Sequence, residues 1–269
     1  MKVLALLALV AYASPVAELD SIKYGVKPGT KLTYKSTTST ETEVMGSLIT
    51  ATLTATETHE AEAVEDGWVR LKRTTTEYKM VSDSPFGDMA PNPTGMAVSS
   101  LVAPNRKMKD WKIAARGSLT QEQADMLSKS AMQEVENGLE GLVFPEGDLT
   151  VGKTWELEHS PAGLGMMGFP AKSSGKVKTV YKVLEMTGEG DARLAIIEGK
   201  TGGTFNLDME TPQGAFSMTV KVDDTNKYTV RAGDGVVTKI EASGTQTMSS
   251  ADFGDFVTKV KTTTELAKN

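Results

Sequence analysis

Residues 49–59 read Ile-Thr-Ala-Thr-Leu-Thr-Ala-Thr-Glu-Thr-His, and this stretch decides the fold class. Ile49 and Leu53 share one parity with two alanines, whereas the threonines occupy the other parity. A two-residue period is typical of a β-strand with one buried face and one wet face. We therefore predict a strand over about 50–63 with a threonine-rich outer face.

The same alternation recurs over 205–210 and over 216–222, where Phe216, Met218 and Val220 share one parity. Clean alternation favours antiparallel strands that are solvated on one side. Turn-forming residues separate the alternating runs and lie at 65–67, 188–191, 223–224 and 232–235. The sequence thus predicts a mainly β protein, a large antiparallel sheet curved into an open or nearly closed barrel.

Two pairs of matched segments recur in the same order. The turn at 26–29 and the turn at 149–152 each end in glycine and lead into an aromatic strand. Residues 112–117 then match residues 239–244, and the separation from the glycine to the lysine is 83 residues in one copy and 87 in the other. Self-similarity at a matched spacing indicates duplication. We predict a first β repeat over 14–117 and a second over 144–269.

A connector over 118–143 is predicted to contain the helix of the chain, from about 121 to 137. Thr120 and Gln123 can form a capping box, apolar residues follow at helical spacing, and Gly138 is a stop signal. We expect this helix to pack on the sheet and the two repeats to form one domain. The alternative is two small β domains joined by the helix.

The composition favours an exported protein whose main partner is not a nucleic acid. Residues 1–13 resemble a secretory signal peptide: Lys2, an apolar run of about eight residues and the cleavage motif Ala11-Tyr12-Ala13. That run is much shorter than the roughly twenty residues of a membrane-spanning helix. The chain has no cysteine and a net charge of −6, so lipid attachment, disulfides and clustered basic charge are not expected. We predict a soluble periplasmic or extracellular protein.

Two glycine-rich motifs spell nucleotide-binding patterns. Residues 147–154 match G-x-x-x-x-G-K-[ST], and residues 163–168 match G-x-G-x-x-G. Both patterns bind phosphate only where they open a helix. The first precedes an alternating segment and the second lies between Pro161 and Pro170, so we interpret them as a structural turn and a loop.

His59 and His159 are the candidates for acid–base chemistry, and both lie on the apolar parity of their strands. Hydrogen-bonded inward histidines are the simpler interpretation. Asp223 and Asp224 lack the spacing of a calcium loop and are interpreted as turn residues. We expect no catalytic residues, no metal ligands and no cofactor.

Residues 144–155 and 27–34 resemble elements of an uncharacterised family of bacterial secreted β-proteins. That family is similar in plan to the outer-membrane lipoprotein carriers. The resemblance implies a strongly curved antiparallel half-barrel, with helix and loops covering an apolar concave face that holds acyl chains. The family implies no catalytic residue.

The leading functional hypothesis is a non-enzymatic protein that binds an apolar ligand, such as a lipid or an acylated protein. Inward rows would line the cavity, and methionine-rich loops would form a flap. The candidate ligand-binding residues are Ile49, Leu53, Met166, Met167, Phe169, Phe216, Met218 and Val220. The alternative is a cell-envelope assembly or protein-interaction module with a filled core. A third, less favoured hypothesis is a hydrolase that uses one histidine.

Overall fold

A computed structural model of the chain describes residues 21–44, 46–84, 92–124, 138–160, 171–211, 214–250 and 254–267. These residues form twelve β-strands and two short 3₁₀ turns, Leu139–Gly141 and Gly190–Ala192. The strands are β1 (Lys31–Val44), β2 (Ser47–Glu65), β3 (Trp68–Ser82), β4 (Met96–Val102), β5 (Met108–Arg116), β6 (Thr154–His159), β7 (Ala171–Ser174), β8 (Val177–Thr187), β9 (Leu194–Thr211), β10 (Gly214–Arg231), β11 (Val237–Ser250) and β12 (Gly254–Leu266).

All twelve strands belong to one antiparallel sheet with the order β5-β4-β3-β2-β1-β12-β11-β10-β9-β8-β6. β7 pairs with β9 in the same register as β8, so β7 and β8 lie along one line. Successive strands pair from β1 to β5 and again from β8 to β12, β6 pairs with β8, and the first strand pairs with the last. The sheet is therefore an up-and-down barrel that is open between β5 and β6, which confirms the predicted fold class.

Three of the four predicted turns lie between strands, but the turn predicted at 223–224 is wrong. β10 runs without interruption from 214 to 231, and Asp224 pairs with Thr201 on β9 and with Gly244 on β11. The two aspartates have turn propensity, but long flanking strands on both sides supply backbone partners that hold this segment extended.

The turns before β1 and β6 have the same hydrogen-bond pattern. Gly29 N–H donates to the Ala61 carbonyl at 2.7 Å, and Gly152 N–H donates to the Val183 carbonyl at 2.8 Å. Ala61 N–H and Val183 N–H each donate back to the residue after the glycine, at 3.0 Å in both cases. Both glycines have positive φ. The two turns thus share one hydrogen-bond pattern, and the duplication, in which β1 and β6 would begin the two copies, stays a prediction.

The helix predicted over 121–137 lies mostly outside the described residues. Residues 121–124 are helical, and the Thr120 capping box is present: Gln123 N–H donates to Thr120 Oγ1 at 3.2 Å, and Thr120 N–H donates to Gln123 Oε1 at 2.9 Å. The structure describes the chain again from Gly138, where it turns into the barrel.

Three apolar clusters fill parts of the barrel. Two of them lie at one end, where the chain segments 22–26 and 139–149 pack against the inner face of the sheet. We call these two segments the plug. The third cluster lies farther along the inner face, on β8 to β11, and includes Phe205, Met218 and Val220. The inner face of the barrel is thus closed at the plug end and covered in part elsewhere.

Candidate ligand-binding face

A buried arginine holds the plug in place. The Arg106 side chain is completely buried, and its guanidinium donates to the carbonyls of Leu139 at 2.9 Å, Leu142 at 3.3 Å and Gly235 at 2.8 Å. It also donates to Glu140 Oε2 at 2.7 Å. Because a planar guanidinium carries five donors, a single side chain can join the β4–β5 turn, the plug and the β10–β11 turn.

Two tyrosines fix the same plug from the opposite side. The hydroxyls of Tyr181 and Tyr228 both donate to the Gly141 carbonyl, at 2.8 Å and 3.0 Å. Burial raises the pKa of Tyr181 to about 12, and burial likewise raises the pKa of Tyr228. Trp155 stacks on Tyr181 and donates from Nε1 to the Val143 carbonyl at 2.8 Å. These rings form the floor of the barrel interior.

His59 is part of this floor. It is 4% exposed and lies 3.3 Å from Glu57 Oε2 and 3.8 Å from Glu140 Oε1. Its ring packs against Tyr34 with the centroids 4.6 Å apart. Burial would raise the pKa of the Glu57 carboxyl, but the His59 hydrogen bond and charge, together with Arg73, lower it overall. His59 is a buried, partnered residue, as the pattern indicated.

Beyond the floor, the inner face carries two successive rows of small or polar side chains. We call them the inner belt. Strand pairing aligns the members of each row across the sheet. The row nearer the floor starts beside Tyr181 of the floor and contains Gly199, Asn226, Ala242, Thr262, Thr38 and Leu53. The next row is Thr179, Thr201, Asp224, Gly244, Val260, Thr40 and Ala51.

The inner belt is less buried than the floor. Most of its members are half-buried, in contrast to the buried residues of the floor. Glycine, alanine and threonine project little volume from a strand, so a belt built of them leaves interior space that leucine or phenylalanine would occupy. Thr38 and Thr262 bond to each other at 2.9 Å, as do Thr179 and Thr201 at 2.8 Å. Their hydroxyls are therefore satisfied.

The structure separates the predicted ligand-binding residues into three groups. Ile49 and Leu53 lie half-buried on the inner face of β2. Met218 and Val220 lie on the inner face of β10 but are buried in the third cluster. Phe216 lies in β10 with its side chain outside the described part, and Met166, Met167 and Phe169 lie outside the described residues altogether.

Sequence reasoning missed two residues of this interior. Arg106 lies in a polar turn, a context in which arginine is normally exposed, so no local signal marks its burial. Asp224 was assigned to a turn, yet it lies on the inner face beside Thr201. Burial and the neighbouring Asp223 raise the pKa of Asp224 to about 6. The two-residue alternation could have revealed the position of Asp224, because Asp224 lies two residues after Val222 and therefore on the same face of β10.

The motif at 147–154 is a turn that opens a strand. β6 begins at Thr154, and the Lys153 ammonium donates to the carbonyls of Glu146 at 3.2 Å and Asp148 at 2.6 Å. A phosphate loop needs a helix whose N-terminal amides face the ligand, so this segment is structural, as the sequence indicated. The other motif, at 163–168, lies outside the described residues.

His159 lies at the end of β6, with Nε2 at 3.2 Å from Thr179 Oγ1 and Nδ1 at 3.2 Å from the Ser160 carbonyl. The described residues contain no group of three potential metal ligands. Within the same residues, no helix has the length and apolar character needed to cross a membrane.

An external pocket of about 500 Å³ lies at the plug end, between the ends of β1, β10, β11 and β12. Its charged residues are paired: Lys31 with Glu60 at 3.2 Å, Lys239 with Glu265 at 3.3 Å. Arg231 is likewise bound to Asp234. A pocket lined by satisfied charges suits an apolar ligand less well than the inner belt does.

In fold, this chain is similar to part of lipovitellin. A solved structure concerned with lipid–protein interactions in lipovitellin matches with a TM-score of 0.51 at 12% identity, over 91% of this chain and 26% of that one. The chain thus spans about a quarter of the length of the lipovitellin chain. No protein-family model matches the sequence, and no curated protein does.

Two bacterial proteins match with less similar geometry. A DUF1329 family protein from Desulfovibrio piger has a TM-score of 0.23 at 7% identity, over 88% of this chain and 86% of that one. A putative exported protein with a YmcC-like fold from Bacteroides fragilis has a TM-score of 0.20 at 9% identity, over 91% of this chain and 97% of that one.

Proposed function

We propose that this chain is a non-enzymatic, exported protein that binds an apolar ligand, such as a lipid or an acylated protein, inside the open barrel. The observation that carries the proposal is the inner belt, a band of small side chains above a sealed aromatic floor. Half-buried apolar groups of Leu53 and Val260 lie within it. Ligand sites for apolar molecules combine such a lining with a few polar groups.

The likeness to lipovitellin supports the proposal only through its fold. Lipovitellin interacts with lipid, and the matching region is a β-sheet of the same overall plan. An open barrel offers a lipid both an apolar interior and a side entrance, which here is the gap between β5 and β6.

A matched pair of tryptophan variants tests this site. Ala242 belongs to the inner belt, whereas Ser243 is exposed on the opposite face of the same strand. We expect Ala242→Trp to fill the belt and to weaken Nile red uptake at least about fivefold, and Ser243→Trp to leave uptake unchanged. Equal uptake by both variants would show that the dye binds elsewhere.

Mass spectrometry of solvent extracts tests the proposal on the natively purified protein. A bound lipid is expected in amounts comparable with the protein. The complete lack of both co-purified lipid and Nile red uptake would overturn the proposed function.

One observation favours the alternative, a protein-interaction module. In the described sheet, β5 and β6 each have a hydrogen-bonded neighbour on one side only, and such edges accept an added strand. Because the chain has no cysteine, Ala115→Cys introduces a single thiol on β5, and this thiol can be labelled with a thiol-reactive photo-crosslinker. Crosslinking in cell-envelope extract at this position, but not at a Ser243→Cys control, would support the module.

A further inference from the structure

We infer that the inner belt selects amphipathic ligands whose head group donates a hydrogen bond, a hydroxyl or an ammonium, over ligands with a carboxylate head. The inference rests on the proposed function and names the ligand class of the same site. Asp224 is the residue that makes the selection.

Asp224 is the acidic member of the inner belt, and its place there is fixed by strand pairing. It lies between Thr201 on β9 and Gly244 on β11. Its carboxylate sits directly over Gly244, where a Cβ atom would collide with Oδ1. The glycine thus lets the carboxylate lie in the interior, where any larger residue would displace it.

Within the described part of the chain, no residue donates a hydrogen bond to the Asp224 carboxylate or forms an ion pair with it. The residues that face it from β9 and β11, Thr201 and Gly244, carry no charge, and the Thr201 hydroxyl is bonded to Thr179. The charge that acts on it is that of Asp223 on its own strand, which is exposed and repels it.

An unpaired acceptor that is half removed from water is costly, and a ligand donor reduces the cost. The raised pKa of Asp224 is the expected sign of that cost. The neighbouring amide of Asn226 extends the polar strip toward the floor, while Leu53 and Val260 lie at the same levels on other strands. A ligand can therefore place its chain on the apolar members and its head against Asp224.

Neither row of the inner belt contains a lysine, an arginine or a histidine. The histidine that contacts the belt, His159, is bonded to Thr179 on β8, two strands away from Asp224. A carboxylate head would face Asp224 without a compensating cation, so repulsion disfavours it. The inner belt thus discriminates between ligands by the charge of their head group and does not select a particular length of alkyl chain.

Displacement of bound Nile red by three twelve-carbon amphiphiles tests the inference: dodecylamine, dodecanol and dodecanoate. At about pH 8, where Asp224 is ionised, we expect the amine and the alcohol to compete at least about tenfold better than the acid. Asp224→Asn is expected to abolish most of this preference. Asp223→Asn, which removes the same charge from the outer face of the same strand, is expected to keep it.

A second measurement uses the wild-type protein. Lowering the pH from about 8 to about 5 protonates Asp224, whereas neither dodecylamine nor dodecanol changes charge, so the amine should lose affinity relative to the alcohol. The Asp224→Asn variant is the control and should show no such change. Equal competition by amine and acid in the wild-type protein, or equal effects of the two asparagine variants, would overturn the inference while Nile red uptake still supports the proposed function. No uptake of Nile red would overturn both.

Discussion

The Arg106 guanidinium donates to the Glu140 carboxylate at 2.7 Å, and the arginine is completely buried. The pair joins the turn after β4 to the plug, at the plug end of a barrel that stays open between β5 and β6. The same guanidinium stacks over Tyr24 and Phe144, at 5.5 Å and 5.7 Å from the ring centroids. A single side chain thus joins the β4–β5 turn, both segments of the plug and the β10–β11 turn.

Arg106→Met is expected to lower the free energy of unfolding by about 3–5 kcal/mol, because it leaves Glu140 and three carbonyls without their donor. Urea unfolding followed by circular dichroism measures the loss. The control is Arg70→Met, which removes the exposed pair of Arg70 with Glu65 and should cost much less, because solvent screens that pair. Equal losses in the two variants would show that the buried contacts do not secure the plug.

Gly235→Ala is expected to destabilise the protein more than Gly67→Ala. Both glycines have positive φ, so both substitutions carry the backbone cost of about 1 kcal/mol. A Cβ at Gly235 would also lie 2.7 Å from the Lys23 carbonyl, whereas a Cβ at Gly67 would meet nothing within 4 Å. The difference between the two unfolding midpoints reports the close approach of the plug to the β10–β11 turn.

Asp224→Asn is expected to stabilise the protein at neutral pH. Since the folded-state pKa is about 6, the folded protein retains the proton that the unfolded chain loses near pH 4, so stability falls as pH rises between these values. Well above pH 6, Asp224 is ionised in both states, and the loss of stability no longer grows with pH. Solvent screens this half-exposed carboxylate, so we expect a gain of about 1 kcal/mol at pH 8.

Most of the gain from Asp224→Asn should disappear near about pH 3, where both the folded and the unfolded states are protonated. Urea unfolding at the two pH values measures it, with Asp255→Asn on the exposed side of β12 as the control. A gain that is the same at both pH values would contradict the assignment of a raised pKa.

The two predicted repeats should stay associated after the connector is cut. β1 and β12 pair along ten residues, and the plug packs on strands of both repeats. A specific protease site inserted beside Gln121 should give two fragments that co-elute in size-exclusion chromatography and separate only in denaturant. Two fragments that elute apart and remain folded would instead support separate domains.

The parity of residues 49–59 and 216–222 predicted strands, faces and antiparallel pairing correctly, because side-chain direction in a strand is a local property. The turn glycines Gly29 and Gly152 were equally readable, since positive φ favours glycine. The turn assigned to Asp223 and Asp224 failed because local propensity is overruled by two long neighbouring strands.

The sequence by itself determined a mainly β chain with a threonine-rich outer face and a matched turn near the start of each predicted repeat. Only the tertiary structure decided that β1 closes on β12, that the barrel opens between β5 and β6, and that Arg106 and Asp224 point into it. The reason is physical: alternation is set by adjacent residues, whereas closure and the burial of a charge depend on partners that lie far away along the chain.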